Sequence, residues 1–313
     1  MDISVIVEAI VKLSIAIFIG YIAAKTKYIP STARETISKL IMKITLPLLI
    51  LTSLLSKEFS QDTARNCFIV VAVAVISMTV LFLVGWLTAK VFRLPKATQA
   101  VHAVLNASGN IVFLGYPVLS AVYGAEGLLY AVVYGITNDF LLWSVGVYSI
   151  YKASSGESPK SALKKLINTN TITIVVAIPL MLIGFKLPPV INDALTNIGG
   201  LTTYLSMLFI GFTLAEIKMR DIYKRFSMFA MIITKMILAP VVVLLILKGF
   251  SLGHIVSGAI ALEIAMPAQT ITSIMVHDAK SDLNYVTEYI FLSTIISLVT
   301  LPLVYYFVEK IMM

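Results

Sequence analysis

Three ionisable side chains, Asp139, Lys235 and Glu263, fall near the centres of long apolar runs. An ionisable group so placed marks an ion or proton path, or else an ion pair that holds helices together. On the first reading Glu263 or Asp139 takes up and releases a proton while Lys235 supplies counter-charge, their protonation tuned by burial and pairing. On the second the charges form a static pair. Two stretches at the same depth carry residues that unsettle a helix: NASGNIVFLGYP, from Asn106 to Pro117, and GAIALEIAMPAQT, from Gly258 to Thr270. Proline cannot donate to the carbonyl four residues back, and Gly115 tolerates backbone angles that other residues avoid. The first helix is therefore expected to unwind between about Asn110 and Pro117, and the second around Met266 to Gln269. Unpaired backbone groups at membrane depth must be satisfied by protein, water or ligand, so both breaks are expected to face a cavity and to form a binding site.

Such groups need a medium and a set of helices to hold them. Of 313 residues, 59% are hydrophobic and only 13% charged, with the apolar residues in long runs; that is the pattern of a polytopic membrane protein. Runs near the ~20 residues that cross a hydrocarbon core predict spans at 3–24, 31–55, 67–89, 97–121, 128–150, 169–186, 193–215, 226–247, 255–277 and 285–308. The fold class is all-α with ten transmembrane helices. Five fall in 1–150 and five in 169–313, joined by a cytoplasmic loop over 151–168.

The net charge of +8 records topology rather than a nucleic-acid partner. One set of loops carries Lys25, Lys27, Arg34, Lys90, Arg93, Lys96, Lys152, Lys160, Lys164, Lys165, Lys218, Arg220, Lys224, Arg225 and Lys280. The other carries only Lys57, Arg65, Lys186, Lys248 and Lys310. The positive-inside rule puts the first set in the cytoplasm and both termini outside a plasma membrane. The start MDISVIVEAI has no basic n-region or cleavage site and reads as a retained helix. Cys67 is the only cysteine, and no HExxH, GxSxG or Walker loop is present. His102, His254 and His277 have no metal-ligand spacing, so no enzymatic centre, metal or cofactor is expected.

The halves repeat weakly. Pro30 matches Pro188 at an offset of about 158 residues, and Pro117 matches Pro267 at about 150. Five crossings per half give the second half the opposite orientation. Inverted repeats with interrupted helices at corresponding positions characterise secondary transporters and point to their binding site. The second half of each broken helix then begins near the midplane, and two helix N-termini favour an anion between them. The opposing C-termini leave room for a cation or ammonium group.

NIVFLGYP (Asn110 to Pro117) and the run from Leu262 to Phe307, which opens LEIAMPAQTITSIMVHD, resemble the auxin efflux carrier superfamily, as does YGITNDFLLWSVGVY (Tyr134 to Tyr148). The likeness covers essentially the whole chain. It implies a fold akin to bile-acid and sodium/proton transporters. Helices one, two, six and seven would form a dimerising scaffold, and helices three to five and eight to ten a moving bundle crossed at Pro117 and Pro267. The substrate site would comprise Asn110, Gly115, Tyr116, Pro117, Asn138, Pro267, Gln269 and Thr270, with Asn110 on the carboxylate of a small organic anion. Asn138 stays open between pocket and packing, and coupling to protons or sodium is left open. The chain departs from the plant branch in its short central loop, which makes auxin a poor candidate, and in having a single proline in helix nine.

Other features have blander readings. Glu8 and Lys12 are spaced for an intrahelical pair. Lys39 and Lys43 can snorkel. Gly199-Gly200 either hinges helix seven or permits close packing. Trp86 and Trp143 suit an interface or core. The rival to a carrier is a channel or receptor without a coupled cycle, which would be expected to show a continuous polar stripe; here the polar residues cluster at one depth.

Overall fold

A computed structural model of the chain describes residues 3–30, 32–56, 60–154, 167–217, 226–250 and 252–312, with side chains in the first helix from residue 8 onward. Most of the expected cytoplasmic loop, together with Lys57, Lys160, Lys164, Lys165, Lys218, Arg220, Lys224 and Arg225, lies outside the described residues. Among the described residues there is no strand. The helices are α1 (Ile3–Lys25), α2 (Thr32–Leu55), α3 (Gln61–Val91), α4 (Lys96–Ala107), α5 (Tyr116–Leu141), α6 (Val147–Ser154), α7 (Thr169–Leu182), α8 (Pro189–Glu216), α9 (Phe226–Lys248), α10 (His254–Ile264), α11 (Ile271–Asp278) and α12 (Leu283–Met312). Among the described residues six stretches are long and apolar enough to cross a membrane: α2, α3, the run Lys96–Ser154, α8, α9 and α12. Two shorter helices, α7 and α10, are also apolar.

Prolines shape several of these helices through one device. Wide π turns at Ile41–Thr45, Ile111–Gly115 and Thr234–Leu238 are each followed two residues later by a proline, Pro47, Pro117 and Pro240. The carbonyl that each proline ring would strike, four residues back, belongs to Lys43, Phe113 or Met236, the middle residue of its π turn. Widening the helix there removes the clash and the need for the missing N–H. Pro179 and Pro302, by contrast, sit within regular helix.

The device corrects one expectation. The break before Pro117 lies at 108–110, where Ser108 is extended (φ −97°, ψ 147°). Helical structure resumes at Ile111 as the π turn, so Pro117 is accommodated rather than unwound. The α5 run also leaves helical geometry at Gly124 (φ 62°, ψ −149°). A Cβ on Gly127 would lie 2.8 Å from the Leu119 carbonyl oxygen, whereas eight residues of straight helix span about 12 Å. The chain therefore reverses at Gly124.

The chain divides into two compact units. The first comprises residues 1–69, 112–133 and 167–216. In it α8 packs on α1 and α2 at near backbone contact. A Cβ on Gly211 would meet the Ile17 carbonyl oxygen at 2.1 Å, and one on Gly199 the Leu49 nitrogen at 2.7 Å. Gly200 has open space and α8 is unbroken, so Gly199 serves close packing and not a hinge. Glu8 pairs with Lys12 at 2.6 Å, and Lys39 pairs with Glu35.

The second unit comprises residues 70–111, 134–166 and 217–313. Its core joins Val101, Val104 and Leu105 of α4 to Met228, Met231 and Met236 of α9 and to Tyr285 and Tyr289 of α12. Buried polar groups pin the same helices. His102 is hydrogen-bonded to Thr88 (2.9 Å) and to Tyr285 (2.7 Å), whose hydroxyl also meets Ser227 at 2.9 Å. Asn106 donates to the Leu81 carbonyl at 2.7 Å and accepts from Thr234 at 3.2 Å.

Candidate functional site

The site in the second unit grows from the end of α4. Ser, Gly and Asn follow Ala107, and their polar side chains or lack of a side chain favour leaving the helix. Ser108 still donates its N–H to Val104. The Gly109 N–H instead reaches the side-chain oxygen of Asn138 at 3.2 Å, and the Asn110 N–H donates to the Pro267 carbonyl at 2.7 Å. The latter bond joins the two interruptions main chain to main chain. Gly109 makes the approach possible, since a Cβ there would sit 3.1 Å from Met266 Cβ and 3.2 Å from Ile111 Cδ1.

Lys235 completes this end. Its buried ammonium donates to the carbonyls of Leu105 and Ser108, the C-terminal carbonyls that the break leaves without amide partners. A cation on a helix C-terminus also offsets the negative end of the dipole. Sequence reasoning placed Lys235 as counter-charge to an acid. The structure places it on peptide oxygens, and no ion pair links it to Asp139 or Glu263. The static ion pair is thus replaced by a lysine-capped helix end. Half-buried Asp139 accepts from Asn138 at 3.2 Å, so Asn138 bridges that carboxylate to the Gly109 amide.

The second interruption follows α10 at Met266–Gln269, as expected from its sequence. Proline disfavours helical geometry in the residue before it and supplies no N–H of its own. The Ala268 N–H donates to the Ser293 hydroxyl of α12 at 3.2 Å. Around it several polar side-chain atoms lack partners among the described residues. Both Glu263 carboxylate oxygens, the Gln269 side-chain nitrogen and the Thr272 hydroxyl are buried with no hydrogen bond among the described residues, Glu263 being only 1% exposed. Buried orphans of this kind are rare because each costs about 1–3 kcal/mol.

The second unit therefore brings together Asn110, Asn138 and Pro267 through hydrogen bonds, with Gln269 and Thr270 in the same interruption. Gly115, Tyr116 and Pro117 fall in the first unit. A cavity of about 160 Å³ in the second unit is lined by apolar side chains including Met78, Phe82, Val104, Leu142 and Gly146. It meets the first interruption at Ser108 and is lined by none of the expected substrate residues. Among the described residues no cluster of His, Cys, Asp and Glu could hold a metal. Ser293 and Ser108 were missed by sequence reasoning. Their roles come from backbone groups of distant helices, which single-residue properties do not reveal.

These features define a class: an all-helical membrane protein with two helices interrupted at residues that bond to one another. The model of the family described as membrane transport protein matches residues 5–305. The chain belongs to that family, the auxin efflux carriers that its motifs resemble. It is 24% identical to an uncharacterized transporter of Methanothermobacter thermautotrophicus over 95% of this chain and 96% of the relative. It is 23% identical to the uncharacterized transporter MJ1031 of Methanocaldococcus jannaschii, covering 92% and 94%. The uncharacterized transporter YfdV of Escherichia coli K12 shares 25% identity over 74% of this chain and 75% of its own.

Proposed function

We propose that the chain is a secondary carrier that exports a small organic anion, such as a carboxylate, by alternating access around the paired interruptions. Ten spanning helices, counted with α4, α5 and α6 as two spans parted at Gly124 and α10–α11 as one, would form two inverted repeats over 1–150 and 169–313. Helices α1, α2, α7 and α8 would act as a scaffold and homodimer surface. The termini would lie outside the plasma membrane, with the central loop in the cytoplasm. The observation that carries this reading is the junction itself. One main-chain hydrogen bond, from the Asn110 N–H to the Pro267 carbonyl, ties two broken helices, and beside it stand polar groups without partners among the described residues.

The anion would be received by the Asn110 side chain, which is buried, beside the N-terminus of α11, whose dipole favours negative charge. Glu263 would exchange a proton or sodium ion with each cycle, because a buried carboxylate without a partner is stabilised by binding either one. Asn138 would orient Asp139 and the first interruption. Counterflow in proteoliposomes tests the carrier mechanism: preloaded unlabelled substrate accelerates uptake of label by a carrier but not by a channel or receptor. A thermal-shift screen of the purified protein against carboxylates, across pH and with or without sodium, identifies the anion. Asn110→Ala is expected to abolish the stabilisation found. Undiminished stabilisation in that variant would place the ligand elsewhere.

A further inference from the structure

Among the described residues five adopt positive φ: Lys27 (59°), Arg93 (52°), Lys280 (54°), Gly124 (62°) and Gly184 (68°). They divide by membrane side. Under the topology read from the loop charges, both glycines fall on the cation-poor side, and the left-handed positions on the cation-rich side all hold Lys or Arg. Each of these three closes a helix with a pair of reverse bonds, its own N–H donating three residues back. After α1, Lys27 N–H donates to Ala24 and Ile29 N–H to Ala23. Arg93 and Leu94 donate to Lys90 and Ala89, and Lys280 and Ser281 to His277 and Val276, so that at these two ends the second bond comes from the adjacent residue. Glycine or asparagine normally takes this position, because a Cβ is disfavoured there. A cation complements the helix end, which accounts for the charge at all three.

Lys27 has more around it. It lines a recess of about 590 Å³ in the first unit together with Lys25, Arg34, Pro30, Phe212 and Glu216, within the 300–1,000 Å³ range of small-molecule sites. Three cations face one anion there. Lys25 also donates to the Ala215 carbonyl at 3.4 Å, and Arg34 pairs with Glu216. No partner occupies Lys27 among the described residues. The negative ends of α1 and α8 and the positive end of α2 meet at this place, and the lysines and arginine leave the balance positive. Tyr28, 87% exposed beside it, is the kind of amphipathic aromatic that sits at headgroup depth.

We infer that this recess binds the phosphate group of an anionic phospholipid, with the left-handed Lys27 as its fixed donor. Basic pockets between helices at the cytoplasmic surface suit such headgroups. The inference rests on the loop-charge topology and not on the identity of a transported anion, and its readout is lipid retention rather than transport. The full chain, purified in detergent, is titrated with phosphatidylglycerol and, separately, with phosphatidylcholine, and bound lipid is counted by native mass spectrometry. Wild type is expected to retain one phosphatidylglycerol in clear preference to phosphatidylcholine. Removing two cations in K25Q/K27G should weaken that first equivalent by at least about tenfold, at roughly fivefold per charge. R93G, which makes the same backbone exchange outside the recess, should leave it unchanged. E216Q should tighten binding several-fold, a gain that misfolding cannot mimic. Unaltered retention in K25Q/K27G, or an equal loss in R93G, overturns the site. Displacement of the lipid by millimolar inorganic phosphate would assign the site to free phosphate and overturn the lipid as its occupant.

Discussion

The two interruptions solve the same problem in opposite ways. At 108–110 every exposed backbone group described above has a protein partner: Asn138 takes the Gly109 amide, Pro267 the Asn110 amide, and Lys235 the carbonyls of Leu105 and Ser108. At 266–269 the chain is tied by Ser293, yet Glu263, Gln269 and Thr272 stand buried without partners. The first break is braced by protein and the second has polar groups to spare. Orphaned donors and acceptors are costly, so the second interruption is where an external ligand or ion gains most from binding. Removing a group that braces a backbone amide or carbonyl should therefore register in stability, and removing one of the spare polar groups of the second interruption in function.

The largest effect on stability is expected from Lys235→Met, which strands two buried carbonyls and should cost about 3 kcal/mol in reversible denaturation in detergent. A cost near zero would show that the bracing is dispensable. Next comes Gly109→Ala, whose methyl would press on Met266 and Ile111; about 1–2 kcal/mol is expected, with the apparent affinity for substrate lowered as the two segments separate. Ser293→Ala leaves the Ala268 amide without its acceptor, for about 1 kcal/mol. The smallest change is expected from Glu263→Gln. Removing an unpaired buried charge should leave stability unchanged or raise it by under about 1 kcal/mol, while proton- or sodium-driven uptake in proteoliposomes is lost. Unchanged ion-driven uptake in that variant would remove Glu263 as the coupling group and erase the proposed contrast.

Much of the framework was legible in hydropathy, because long apolar runs have few alternatives to helices. The second interruption was legible too. Pro267 acts on Met266 through local sterics that need no tertiary context. Pro117 misled for an instructive reason. A helix can admit proline by opening into a π turn centred four residues earlier, as it does at Phe113, Lys43 and Met236, and nothing in the sequence announces that choice. The reversal at Gly124 falls in the gap left between the expected spans 97–121 and 128–150, where glycine can take a φ of 62°. Lys235 was visible as a buried charge, but its partners are carbonyls 127 and 130 residues away in sequence. Every residue offers a carbonyl, so no residue type could have flagged Leu105 or Ser108.

Because the bond between Asn110 and Pro267 runs from one main chain to the other, it is largely invisible to substitution. The side chain at position 110 can drift while the knot stays tied, and alanine there would pass over it. Among the encoded amino acids only proline at position 110 deletes the donor outright; an amide-to-ester replacement there would do so with the side chain intact. Relatives with altered specificity can thus inherit the same knot under very different side chains.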